Sequence, residues 1–167
     1  MNTMKENISN ILLMIALLIG ILIYFLASGF TTSNKAIKAA NIEIAVIVNK
    51  ENPVTASSAS EIKAYYLREK TRRWPVINKN IRPVANKNNN AEQTTFYQKV
   101  LNMRADDVEK YFISRQYQSA EKPQDKFSSD KEIIDFVGNE IGAIGFVNAA
   151  SLNAEARSKV KVLLTVN

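Results

Sequence analysis

Side chains suited to catalysis are scarce in this sequence. The 167 residues include no cysteine and no histidine, which removes thiol nucleophiles, thiolate metal ligands and the commonest general base. Asp106 and Asp107 are adjacent carboxylates, but neighbouring residues on a helix do not face one another and cannot converge on one substrate. Acidic residues are favourable at the start of a helix, where the helix dipole attracts negative charge. We therefore expect no enzymatic activity, no metal site and no cofactor.

Four basic residues precede the single tryptophan, and basic residues with an aromatic ring are what nucleic-acid stacking grooves use. They are Arg68, Lys70, Arg72 and Arg73, followed by Trp74. The net charge is +6, but acidic residues are interspersed with basic ones along the chain, and clustering on one face is the more telling sign of nucleic-acid binding. We favour an exposed turn whose tryptophan packs on the edge of the domain, with no nucleic-acid partner.

The clearest physical signal lies near the N-terminus, where residues 11–27 contain no charge and no amide. The stretch is long for the apolar part of a signal peptide and short for a spanning helix, so cleavage and retention both stay open. Cleavage near Gly29 would release a soluble domain, whereas retention would anchor the chain in the membrane. We expect residues 1–30 to be a signal peptide or membrane anchor, residues 31–41 a linker, and residues 42–167 a domain exported to the periplasm or extracytoplasmic face.

Periodicity and capping residues predict alternating strands and helices in the exported part. Apolar, β-branched runs predict strands at residues 42–48, 81–85, 141–147 and 159–166. Helices are expected to begin near Ser58, Ala91, Asp106 and Ser129, the first and last from capping boxes. Residues 119–127 are predicted to form a charged loop, and Gly142 and Gly145 indicate close backbone approach or bending in their strand. This order predicts a layered α/β domain with a largely parallel sheet core.

Five segments, taken in order, resemble the substrate-binding proteins of phosphate ABC transporters, and especially their short single-domain relatives. They are a strand with an Asn-Pro turn at 46–54, a helix leading into a Lys-to-Trp turn at 58–75, a helix with Phe96-Tyr97 and Val100-Leu101, the Tyr111-Phe112 and Ser114-Arg115 pairs, and a run from Ile133 into Gly142-Ala143-Ile144-Gly145-Phe146-Val147. The last is close to the family's Gly-Ala-Ile-Gly-Tyr signature. The resemblance implies a periplasmic-binding-protein-like fold of type II, reduced to a single lobe with a mostly parallel or mixed sheet flanked by helices. The apolar stretch at residues 11–27 independently predicts an N-terminal hydrophobic helix before it.

The resemblance also implies where an anion would bind. Members of the family hold phosphate between two lobes with a Gly- and Ser-rich loop that opens a helix, and the free N–H groups of a helix start suit an oxyanion. Counted back from Phe96, the equivalent stretch is residues 85–96. The implied anion-binding residues are Lys87, Asn89, Asn90, Ala91, Gln93 and Thr94.

Three positions in this stretch depart from the family's pattern. Ala85 stands where short relatives often have an acidic residue, Asn90 where they have serine, and Gln93 where they have arginine. Gln93 cannot supply the charged, two-pronged contact that arginine makes with phosphate, and the glycines of the family's loop are absent. Asparagine tolerates positive φ and is a partial substitute for them. We favour a polar loop that caps a helix, with a weak anion site as the alternative.

Together these features predict an exported solute-binding-like domain that binds phosphate or another small oxyanion for a transport or sensing system. Its expected partners are an inner-membrane transporter or sensor protein, and the membrane itself if the N-terminal helix is retained. The alternative is a periplasmic interaction module of the same fold that has lost its ligand, with residues 72–74 as candidates for its partner-facing surface. Arg115 is expected to form an internal salt bridge or to lie at a helix end.

Overall fold

The computed structural model describes residues 42–55 and 58–167. The expected signal peptide or anchor and the linker fall on residues 1–41, outside the described residues. Among the helices within the described ranges, none combines the length and the apolar character needed to cross a membrane.

Five strands form one mixed sheet in the order β3-β2-β4-β1-β5. They are β1 (Ile44–Asn49), β2 (Arg82–Asn86), β3 (Asp125–Phe127), β4 (Ala143–Asn148) and β5 (Val160–Val166). β2 pairs in parallel with β3 and β4, whereas β1 runs antiparallel between β4 and β5. The predicted α/β fold class is confirmed and the sheet is mixed, but the expected largely parallel core is wrong. Central β1 is antiparallel to both of its neighbours, and parallel pairing is confined to β2 with β3 and β4.

Helices cover both faces of this sheet. They are α1 (Ala59–Tyr66), α2 (Ala91–Phe96), α3 (Ala105–Ser119), α4 (Asp130–Asn139) and α5 (Ala154–Lys159). A π-helical turn, Tyr97–Leu101, continues α2, and a 3₁₀ turn, Ala149–Ser151, follows β4. Ser58 and Ser129 cap α1 and α4 by accepting hydrogen bonds from the backbone N–H groups of Glu61 and Glu132, so both predicted capping serines are confirmed.

The apolar core consists of two clusters separated by the sheet. Ile44 and Val46 of β1 pack into the cluster that contains α1, α2 and α3, whereas Ala45 and Ile47 pack into the cluster under α4 and α5. Successive side chains of a strand point to opposite faces, and all six residues of β1 are buried. The continuous apolar run therefore marks a central strand, as predicted.

Two further predictions from the sequence are wrong in detail. Residues 119–127 were expected to form a loop, but Asp125–Phe127 forms the edge strand β3, whose three residues include two charges and carry no local strand signal. Trp74 was expected at the edge of the domain, but the structure buries it to 1% exposure. Its Nε1–H donates a hydrogen bond to the carbonyl oxygen of Gly142 at 2.9 Å, and this long-range contact draws the ring into the core.

Gly142 lies where two backbone segments nearly touch. A Cβ at this position would stand 2.3 Å from the carbonyl oxygen of Asn80, while a Cβ at Gly145 would stand 3.2 Å from a methyl group of Ile133. The expected close backbone approach is confirmed at Gly142. A backbone oxygen cannot move aside without shifting the turn that carries Trp74, whereas a side-chain methyl can yield.

The substitution Gly142→Ala is expected to lower the free energy of unfolding by about 2–3 kcal/mol, the upper range for overpacking. Gly145→Ala is the matched control and should cost about 1 kcal/mol, because its neighbour is a movable side chain. Urea unfolding with linear extrapolation measures both losses. If Gly142→Ala lowers the free energy of unfolding no more than Gly145→Ala does, the close approach of Gly142 to the carbonyl oxygen of Asn80 is contradicted.

Because two tyrosines are buried, we expect the free energy of unfolding to decrease at alkaline pH. Burial raises the pKa of Tyr97 to about 12 and raises the pKa of Tyr66 still more clearly above its ordinary value. An unfolded tyrosine ionises near pH 10, so the unfolded chain releases protons that the folded chain keeps. Stability is therefore full below about pH 10 and falls as the pH rises toward about 12, by about 2–3 kcal/mol for Tyr97.

The check is the free energy of unfolding between about pH 8 and about pH 12 for the wild-type chain and Tyr97→Phe. Tyr97→Phe should show a shallower decline. Tyr117→Phe, which removes a hydroxyl from an exposed ring, is the comparison variant. If both substitutions change the slope equally, burial of Tyr97 is not its cause.

Candidate functional site

The carboxyl ends of the three parallel strands meet along one edge of the sheet. β2 ends at Asn86, β3 at Phe127 and β4 at Asn148. We call this the carboxyl edge and define it by residues 86–94, 127–130 and 148–151. Open α/β sheets bind ligands outside the carboxyl ends of their strands. All six residues implied as an anion site lie on the loop and helix that follow β2, so the carboxyl edge is the candidate site.

The asparagine-rich loop of this edge is closed by its own hydrogen bonds. The Oδ1 atom of Asn90 caps α2 by accepting from the N–H of Gln93 at 2.9 Å, and the Oδ1 atom of Asn86 accepts from the N–H of Asn88 at 3.0 Å. Asn90 has a φ of −86°, and residues 86–90 include no left-handed backbone. The asparagines therefore do not replace the missing glycines by adopting positive φ; they cap and brace the loop with their side-chain amides.

Gln93 is buried and both ends of its side-chain amide are bonded within the loop. Its Oε1 atom accepts a hydrogen bond from the backbone N–H of Asn86 at 3.0 Å, and its Nε2 group donates to Oδ1 of Asn89 at 2.8 Å. These bonds tie the end of β2 to the start of α2. Gln93 is therefore a neutral group that holds the loop together from inside.

The other predicted site residues offer little to an anion. Lys87 is exposed and carries the only positive charge among the six, Ala91 has no polar side-chain atom, and Thr94 donates its hydroxyl proton back to the carbonyl oxygen of Asn90 at 3.1 Å. The structure thus brings the six residues together on one loop and helix start. Except at Lys87, their polar side chains are engaged with the loop itself.

The carboxyl edge also contains two carboxylates that were not predicted from the sequence. Glu92 accepts a hydrogen bond from the side-chain amide of Asn148 at 3.3 Å. Asp130 accepts from the backbone N–H of Asn148 at 3.0 Å and from the hydroxyl of Ser151 at 2.6 Å. Their negative charges repel an incoming oxyanion. The sequence offered one signal for these two carboxylates. Both bond Asn148, which ends β4, and a strand parallel to β2 ends at the same edge of the sheet.

No group of acidic residues in the described part of the chain is arranged to hold a metal ion. The expected internal salt bridge of Arg115 is present, with its Nη2 atom 3.1 Å from Oε1 of Glu121. The carboxyl edge is therefore a hydrogen-bonded polar network that joins the ends of three strands, and its side-chain charges are one lysine and two engaged carboxylates at the positions described above.

No family model matches the sequence, and no curated protein matches it. Solved structures do resemble the fold. A substrate-binding protein of the phosphate ABC transporter type from Clostridium perfringens, solved with bound phosphate, superposes with a TM-score of 0.55 at 17% identity, covering 73% of this chain and 45% of its own. An ABC-type phosphate transport receptor from Vibrio cholerae gives 0.52 at 16% identity, covering 73% and 46%.

PstS from Borrelia burgdorferi gives a TM-score of 0.51 at 13% identity, covering 73% of this chain and 47% of its own. This chain shares their fold. At these identities the likeness shows the fold alone, and the chain spans less than half the length of each of these three proteins. The periplasmic-binding-protein-like architecture expected from the sequence is thereby confirmed.

The structural role of Gln93 predicts a clear stability effect. Gln93→Leu removes both amide bonds and leaves the buried N–H of Asn86 without its acceptor, which should lower the free energy of unfolding by about 2–3 kcal/mol. Thr94→Val is the matched control on the next residue and should change it by no more than about 0.5 kcal/mol, because Thr94 is exposed. Urea unfolding compares the two variants, and equal effects would show that the loop does not depend on Gln93.

Proposed function

We propose that this chain is a non-enzymatic, solute-binding-protein-like domain that works as an interaction module of a membrane transport or sensing system, without strong capture of phosphate at the carboxyl edge. The observation that carries the proposal is the buried amide of Gln93, bonded to Asn86 and Asn89. A binding loop presents free donors to its ligand, whereas this loop uses its amides on itself.

The electrostatics of the carboxyl edge support the same proposal. Glu92 and Asp130 place two carboxylates beside the start of α2 and the end of β4, against one exposed lysine, Lys87. An oxyanion would have to overcome this repulsion without the charged fork of an arginine.

The candidate partner-facing surface is the turn between α1 and β2. Burial of Trp74 removes it from that surface, but the same turn exposes Arg73 and leaves Val76 75% exposed. The turn is fixed from below by Trp74, whose ring contacts Tyr65 with a centroid distance of 4.7 Å. A rigid loop with an exposed apolar tip and an adjacent cation suits contact with another protein.

A second candidate function is weak oxyanion capture at the carboxyl edge. It is favoured by Lys87, an exposed lysine in the loop that leads into α2, and by the bound phosphate named for the Clostridium perfringens structure. Lys87 would supply the charge, and the N–H groups of the first turn of α2 would supply the donors.

Thermal unfolding of the full chain separates the two candidates. With inorganic phosphate or sulfate at about 1–10 mM, against sodium chloride of equal ionic strength, the interaction module predicts no rise in the unfolding midpoint that depends on Lys87. A phosphate-specific rise that Lys87→Gln removes would contradict the proposal and support capture. The control Lys110→Gln changes an exposed lysine on α3.

Site-specific photo-crosslinking in the native host tests whether the turn between α1 and β2 contacts a protein of a membrane transport or sensing system. A photo-reactive side chain in place of Val76 is expected to form an adduct with an integral membrane protein of a transport or sensing system. The same group in place of Ile113, an exposed apolar residue on α3, serves as the control. Equal labelling from both positions would show that the turn is not the interaction surface.

A further inference from the structure

A polar cavity lies at the opposite edge of the sheet from the candidate site. It encloses about 380 Å³ and is lined by residues that begin the parallel strands, Arg82 of β2 and Asp125 of β3, and by the segments that follow α1 and α3. Its volume falls within the range of small-molecule sites. We call it the arginine pocket and define it by Arg68, Arg72, Arg73, Arg82, Glu121 and Lys122.

Positive charge predominates in this pocket. Its lining includes five basic side chains and two acidic ones, Glu121 and Asp125. Asp125 is already engaged, since it pairs with Arg82 at 2.8 Å and with Lys122 at 3.0 Å. Arg82 also pairs with Glu140. The uncompensated charge therefore lies on the side of the pocket that Arg68, Arg72 and Arg73 occupy.

Three arginines converge on one buried carboxylate at the floor. Side-chain nitrogen atoms of Arg68, Arg72 and Arg115 lie 3.1–3.2 Å from the oxygens of Glu121. One carboxylate balances one of these three guanidinium groups. Burial lowers the pKa of Arg68, and Arg115 and Arg72 act in the same direction, whereas Glu121 opposes them. A further negative charge would relieve this repulsion.

The floor also retains hydrogen-bonding capacity. Arg68 is 8% exposed, and within the described residues its buried Nε–H has no hydrogen-bond acceptor. A buried donor without an acceptor is costly, and guanidinium groups bind carboxylate or phosphate in pairs of parallel bonds. Nearer the rim, the side chains of Arg72 and Lys122 are 57% and 64% exposed, so they remain accessible to a ligand from solvent.

We propose that the arginine pocket binds a small oxyanion that carries two or more negative charges, either a phosphate-type or a polycarboxylate ion. Arg72 and Lys122 contact it from the rim, and Arg68, held by Glu121 and by the carbonyl oxygen of Lys122 at 3.0 Å, supplies positive charge from below. The pocket lies at the start of the parallel strands, so binding there is independent of the loop at the carboxyl edge.

Calorimetric titration and thermal unfolding of the full chain test this inference, with pyrophosphate and citrate as the two probes and sodium chloride at equal ionic strength as the blank. The wild-type chain should bind at least one probe, and the probe that binds more tightly identifies the ion type. Arg72→Gln should raise its dissociation constant by about tenfold or more, the loss expected for a charge-assisted hydrogen bond.

Two further variants distinguish binding in the arginine pocket from a folding defect of Arg72→Gln and from binding at the carboxyl edge. Lys122→Gln leaves Glu121 and its three arginines in place and should weaken binding severalfold, even if Arg72→Gln disturbs folding. Lys87→Gln changes an exposed lysine at the carboxyl edge and should leave binding unchanged. Absence of binding by both probes overturns the inference, as does an equal loss in all three variants. A loss confined to Lys87→Gln also overturns it and moves the anion to the carboxyl edge.

Discussion

Burial of β1 along its whole length is the constraint on which the rest of the domain depends. A strand buried on both faces needs hydrogen-bonded neighbours on both sides, because buried backbone N–H and C=O groups that lack a partner destabilise the fold. β1 finds them antiparallel in β4 and β5. Its alternating side chains then require an apolar layer on each face, and the two sets of helices supply these layers.

The attachment of β2 to this centre gives the domain two different polar edges. β2 joins β4 at Arg82 and Pro83, and the turn before it is held by the hydrogen bond from Trp74 to Gly142. That anchor fixes where β2 begins and therefore where Arg82 and its neighbours surround a cavity. At its other end β2 runs into Asn86, whose N–H is held by Gln93. One strand thus carries charge at its start and neutral amides at its end.

Local signals in the sequence were sufficient for the parts of the fold that depend on local physics. The apolar run of β1 and the capping serines Ser58 and Ser129 belong to this class. Burial of Trp74 depends on a partner 68 residues away, and β3 exists only because β2 provides an edge for three residues. The position of Gln93 was predictable, but the direction of its amide was not, since rotation about its side chain would present the same atoms to solvent.

The neutral side chain at position 93 allows the loop after β2 to be held by hydrogen bonds within the chain. A buried guanidinium at position 93 would need an anion or a carboxylate as its partner, and without one the unpaired charge would destabilise the fold. Gln93 is neutral, and Asn86 and Asn89 satisfy its amide from within the chain. Positive charge is instead concentrated around Glu121, whose single carboxylate faces three arginines. The carboxyl edge therefore satisfies the buried amide of Gln93 from within the chain, whereas at the opposite edge of the sheet the arginines around Glu121 outnumber their carboxylate.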